Sequence, residues 1–116
     1  MTPIPVHVVF RGMAHSAALE AEVRERTAWL EQFYGRMLDC RVRLAVPHRH
    51  HRVGRHLHVQ ISLTVPGGGP VVVCHEGADV TARAAVHEAF DAARRRLQDF
   101  AREQRGAVKA HAGAAS

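Results

Sequence analysis

Twice between Cys40 and Val65 the apolar residues fall at every second position, and this period of two constrains the fold more than anything else in the chain. Cys40, Val42, Leu44 and Val46 alternate with Arg41, Arg43 and Ala45. Leu57, Val59, Ile61, Leu63 and Val65 alternate with His58, Gln60, Ser62 and Thr64. Successive side chains of a strand point to opposite faces, so each segment predicts a half-buried strand, and both bury an aliphatic face in one core. Pro47 stops the first. The intervening His48-Arg49-His50-His51-Arg52-Val53-Gly54-Arg55-His56 is rich in basic groups, and no acidic residue occurs between Asp39 and Glu76. Charge of one sign concentrated in this way calls for an anionic partner.

The flanks supply the rest of a domain. Ile4, Val6, Val8 and Phe10 alternate with Pro5, His7, Val9 and Arg11, a first strand that Gly12 ends. Ser16 suits the N-cap of a helix whose stripe is Leu19, Val23, Leu30, Phe33 or Tyr34, and Met37, with Arg26 or Thr27 filling the gap. Glu20 with Arg24 and Glu22 with Arg26 are expected as i, i+4 pairs on its outer side, each worth about 0.2–0.5 kcal/mol. Trp29 lies about 100° from Leu30 around the axis, a position open to packing at the core's edge or to stacking on a base. Pro66-Gly67-Gly68-Gly69-Pro70 reads as a tight turn, since neither a Lys-Ser/Thr pair nor a strand-to-helix context makes it a phosphate loop. Val71–His75 follows as a strand, and Asp79 is expected to cap a second helix with the seam Val86, Phe90, Ala93, Leu97 and Phe100. Its outer side carries Arg94, Arg95, Arg96, Arg102 and Arg105, diluted by Asp91, Asp99 and Glu103.

The order strand, helix, three strands, helix predicts an α+β fold, a two-layer sandwich in which two helices cover one face of a four-stranded mixed sheet. The helical crossover makes the first two strands parallel, and short connections make the last three an antiparallel meander. One domain over residues 1–105 is expected, with a flexible tail over 106–116 that has few apolar side chains. The other sheet face, with His7, Arg11, Arg41, Arg43, His58 and Gln60, is left open.

Among 116 residues the formal net charge is +5, and Lys109 is the only lysine against fifteen arginines. Arginine favours phosphate and stacks on bases. No signal peptide or membrane-length apolar run appears, so a cytoplasmic protein is expected. Cys40 and Cys74, distant and in no paired spacing, are expected as buried thiols on their strands. No HExxH, GxSxG, P-loop or paired-carboxylate pattern points to an enzyme. Nor is a cofactor or small-molecule substrate expected.

Local motifs carry a family resemblance over about residues 4 to 105. Leu30-Glu31-Gln32-Phe33-Tyr34, Glu76-Gly77-x-Asp79, and Ala84-Ala85-Val86 followed by Asp91 and Leu97 resemble the ribosome hibernation-promoting factors, also called ribosome-associated inhibitors or sigma-54 modulation proteins, in their short form. Pro47-His48-Arg49-His50-His51, Thr64-Val65-Pro66-Gly67-Gly68 and Ala89-Phe90-Asp91-Ala92-Ala93-Arg94-Arg95 resemble a subgroup of them. The resemblance implies a protein that binds the small ribosomal subunit and its rRNA, occupies the decoding region and silences translation under stress; off the ribosome a monomer is expected. The candidate RNA contacts are Arg11, Arg41, Arg43, Arg49, Arg52, Arg55, His58, Arg94, Arg95, Arg96, Arg102 and Arg105. The family's second helix usually ends in a lysine-rich run, where this chain mixes Gln98, Asp99 and Glu103 with arginine.

Two other readings compete. His48, His50, His51, His56 and His58 are a candidate metal set, although the interleaved arginines repel a divalent ion and no carboxylate lies close in sequence to orient the imidazoles. Helices on one face of a sheet with basic loops also suit a general double-stranded-RNA module.

Overall fold

A computed structural model describes residues 4–46, 56–78 and 81–114, and within these only the backbone of residues 56, 78 and 107–114. The strands are β1 (Val6–Arg11), β2 (Asp39–Ala45), β3 (His56–Thr64) and β4 (Pro70–Ala78), and the helices are α1 (Ala17–Phe33) and α2 (Ala82–Ala114). The element order is β-α-β-β-β-α, as the hydrophobic periodicity predicts. The sheet order is β1-β2-β3-β4, with β1 parallel to β2 and the remaining pairs antiparallel. None of the described helices is long and apolar enough to cross a membrane.

Both helices lie on the sheet face that carries Val42, Leu44, Val59, Ile61, Leu63 and Val73. From α2, Val86, Phe90, Ala93 and Leu97 enter the same core and are fully buried. Phe100 is half-buried beneath the turn at Pro66–Gly69. A Cβ on Gly68 would stand 2.4 Å from the Phe100 ring, so glycine lets the turn lie directly on the helix. Gly67, at φ 81°, supplies the left-handed backbone the reversal needs.

Ser16 caps α1 as expected, its hydroxyl accepting from the Leu19 amide at 3.2 Å. The helix stops at Phe33, however. Met37 is buried from the chain that follows it, not from the helical stripe. Thr27 fills the gap in the stripe; its hydroxyl donates to the Val23 carbonyl at 2.8 Å and lies 3.6 Å from Cys40 Sγ. A polar side chain is thereby tolerated at 2 % exposure. Of the two aromatics at the end, Tyr34 turns inward, edge-on to Phe100, and Phe33 stays 42 % exposed. Thr81 caps α2, accepting from the Ala84 amide at 3.1 Å. Asp79, the expected cap, lies outside the described residues. The backbone of α2 continues past Gly106 to Ala114, where the composition suggested a tail; the alanines there are strong helix formers.

Of the two expected i, i+4 pairs, only Glu20 with Arg24 forms, at 3.2 Å. Glu22 reaches across to Arg83 (3.2 Å) and His87 on α2, and Arg26 reaches Asp91 at 3.6 Å while stacking 3.9 Å from the Trp29 ring centroid. These residues face the helix-helix seam, where a partner from the other helix is closer than one a turn away. Trp29 is half-buried and flanks the core.

The expectation of two buried thiols holds for Cys40 alone. Cys74 points to the open face, opposite Gln60, and is exposed. Burial pushes the Cys40 thiol up to about 11. At pH 8 an alkylating reagent is therefore expected to add once to the native protein, at Cys74, and twice after denaturation. Mass spectrometry reads this directly; a native protein with two adducts, or one adduct on Cys40, would contradict the strand orientation.

Candidate nucleic-acid interface

The alternation that buries one side of each strand lines up the other side in rows across the sheet. His7, Arg41, Ser62 and Val72 form one row; Val9, Arg43, Gln60 and Cys74 the next; Arg11, Ala45, His58 and Glu76 the third. Arg41 and Arg43 are two residues apart on one strand, and Arg11 lies diagonally across from Arg43. All three are exposed, and none makes an ion pair among the described residues. The acids of this face stand at its margins: Asp39 accepts from the Thr64 hydroxyl at 2.8 Å, and Glu76 lies opposite His58 on the edge strand. A depression of about 540 Å³ runs along the arginines, lined by His7, Val9, Arg11, Arg41, Arg43 and Gln60.

Like charges this close repel by a few tenths of a kcal/mol per neighbouring pair, so the arrangement does not serve the fold. What it offers is a flat array of guanidinium donors with hydrogen-bonding neighbours, suited to a surface of phosphates.

The candidate residues do not gather in one place. Arg11, Arg41, Arg43 and His58 share the open face. Arg94, Arg95, Arg96, Arg102 and Arg105 are exposed on α2, in the other layer of the sandwich. Arg94 is held over the rings of Phe33 (4.9 Å) and Trp29 (5.8 Å), and Arg102 approaches Asp99 at 4.0 Å. Arg49, Arg52 and Arg55 lie outside the described residues, as do His48, His50, His51 and the side chain of His56. His58 is exposed on β3, and the described residues bring no three His, Cys, Asp or Glu side chains together in a metal-holding group. Arg36, which the sequence pattern does not single out, stands just beyond α1 and lines a groove together with Arg102 and Arg105 of α2. Its only sequence signal is its place two residues after an aromatic pair.

The same fold occurs in a ribosomal subunit interface protein from Coxiella burnetii, with a TM-score of 0.69 at 11 % identity over 84 % of this chain and 97 % of that one. It occurs again in the N-terminal domain of Protein Y from Thermus thermophilus, with a TM-score of 0.66 at 23 % identity over 85 % and 99 % of the two chains. No curated protein matches the chain in sequence. The architecture is thus that of a β-α-β-β-β-α domain whose fold these two proteins share. The chain belongs to the family described as sigma 54 modulation protein / S30EA ribosomal protein, whose model matches residues 6–105. Membership makes it a ribosome-associated protein of translation regulation.

Proposed function

We propose that this protein binds the small ribosomal subunit in the decoding region, with its open sheet face against rRNA phosphates, and silences translation by excluding messenger and transfer RNA. The observation that carries this reading is the set Arg11, Arg41 and Arg43, exposed and without acidic partners among the described residues on a sheet face that no helix covers. Family membership supplies the ribosome as the anionic surface. The arginines of α2 extend the basic surface to the second layer and give a protein wedged between rRNA elements a contact on either side.

Sedimentation through sucrose gradients tests the proposal. The protein is expected to travel with small subunits and with whole ribosomes at low salt, and an excess of messenger RNA with initiator transfer RNA is expected to displace it. If about four to six phosphates are neutralised, affinity falls by on the order of 10² to 10³ between roughly 50 and 200 mM salt. Binding that ignores salt, or that messenger and transfer RNA leave untouched, would overturn the proposed site.

A further inference from the structure

At the end of the helix layer, a groove of about 710 Å³ separates the chain leaving α1 from the last turns of described side chains on α2. That volume lies within the ~300–1,000 Å³ usual for ligand clefts. Its walls combine two chemistries. Phe33 and Tyr34 stand on one side; Arg36, Arg102 and Arg105 bring three guanidinium groups to the same space. Tyr34 is fixed edge-on to Phe100, with ring centroids 6.4 Å apart. Phe33 stays 42 % exposed although Arg94 sits over its ring. Arg36 and Arg105 make no ion pair among the described residues. Gln104 donates its amide to the Gly67 carbonyl at 3.4 Å, which tethers the turn and leaves the Gln104 carbonyl oxygen as an acceptor.

We infer that this groove takes one unpaired nucleotide of RNA, its base against Phe33 and its flanking phosphates against Arg36, Arg102 and Arg105. The inference rests on the reading of rRNA as the partner, but concerns a site separate from the open sheet face. Neither feature suffices alone: an exposed phenyl ring is ordinary on a protein surface, and arginines by themselves contact any phosphate. Together they match a single nucleotide, which presents an apolar π-face and an anionic backbone within one groove width. A base inside a duplex is already stacked on both faces, so the groove discriminates in favour of loops, bulges and ends.

Fluorescence anisotropy with a labelled single-stranded RNA pentamer and a labelled RNA duplex tests this. Base–aromatic stacking is lost with the ring, so Phe33→Ala is expected to weaken pentamer binding by on the order of tenfold and to change duplex binding by less than about twofold. Phe33→Trp is expected to restore the pentamer. Arg36→Gln with Arg105→Gln is expected to weaken the pentamer more than the duplex, whereas charge removal from the open face weakens both. Because Phe33 is exposed, its variants are expected to fold, which circular dichroism verifies. An unchanged pentamer affinity in Phe33→Ala, or an equal loss on both RNAs, overturns the inference. So does displacement of the pentamer by free adenosine monophosphate at equal concentration, since the occupant would then be a small nucleotide. The two readings fail separately: wild-type protein absent from the ribosomal peaks removes the proposed function, and ribosome-bound protein with a silent Phe33→Ala removes only the groove.

Discussion

Replacing Arg11, Arg41 and Arg43 together by glutamine is expected to weaken binding to the small subunit by about 3 to 4 kcal/mol, on the order of 10² to 10³-fold, through the loss of charge-assisted contacts to phosphate. The dependence of log affinity on log salt is expected to become shallower by about 2 to 3, because each phosphate contact contributes roughly 0.7–0.9 to that slope. Glutamine keeps much of the side-chain length and its hydrogen-bonding capacity, so the variant removes charge rather than shape. Folding stability is expected to stay level or rise slightly, because neighbouring like charges on one sheet face are relieved. Arg24→Gln is the control: Arg24 is already paired with Glu20 on the outer side of α1, and its loss is expected to leave binding within about twofold. A triple variant that binds like wild type in a filter or sedimentation titration would show that the open sheet face does not contact the ribosome.

Phe90→Ala carries the largest expected effect on the fold. Phe90 is fully buried, and it is the largest such side chain among the described residues, on the α2 seam that packs over β3 and β4. Truncation removes the transfer free energy of the ring and leaves a cavity that a close-packed interior only partly closes, together about 3–5 kcal/mol. Domains of this size have total stabilities of roughly 5–15 kcal/mol, so the variant should be marginal. Urea unfolding would show the midpoint falling sharply with little change in slope. Phe33→Ala makes the same chemical change at an exposed position and should shift stability by no more than about 1 kcal/mol, mostly the contact with Arg94. A loss below about 1.5 kcal/mol at Phe90 would mean that the helix is not seated on the sheet as described.

Those two phenylalanines mark the boundary between what pattern and what packing decide. Phe90 follows Val86 and precedes Ala93 and Leu97 at helical spacing, so its burial was legible from the sequence. The choice between Phe33 and Tyr34 was not, because the helix ends there and helical periodicity no longer fixes which way a side chain turns. The stripe's expected last member, Met37, is indeed buried, but from the connection to β2. For the same reason the groove beside Phe33 was not legible in the sequence: it exists only where Arg36 after α1, the Pro66–Gly67 turn and the stretch of α2 from Leu97 to Arg105 come together.

Read alone, the sequence determined the strands with strict alternation, the Ser16 cap, the seam of α2, the element order and the open basic face. Each follows from periodicity or local chemistry, which act within a few residues. Packing decided the rest. Glu22 and Arg26 have helix spacing for each other, yet Arg83, His87 and Asp91 take them because α2 lies against that side of α1. Val71-Val72-Val73-Cys74 is an unbroken apolar run, so no alternation says which members face the core. The pairing of Ile61 with Val73 and of Gln60 with Cys74 decides it: a strand's side chains share a face with their cross-strand partners, and Cys74 is turned outward by its neighbour on β3.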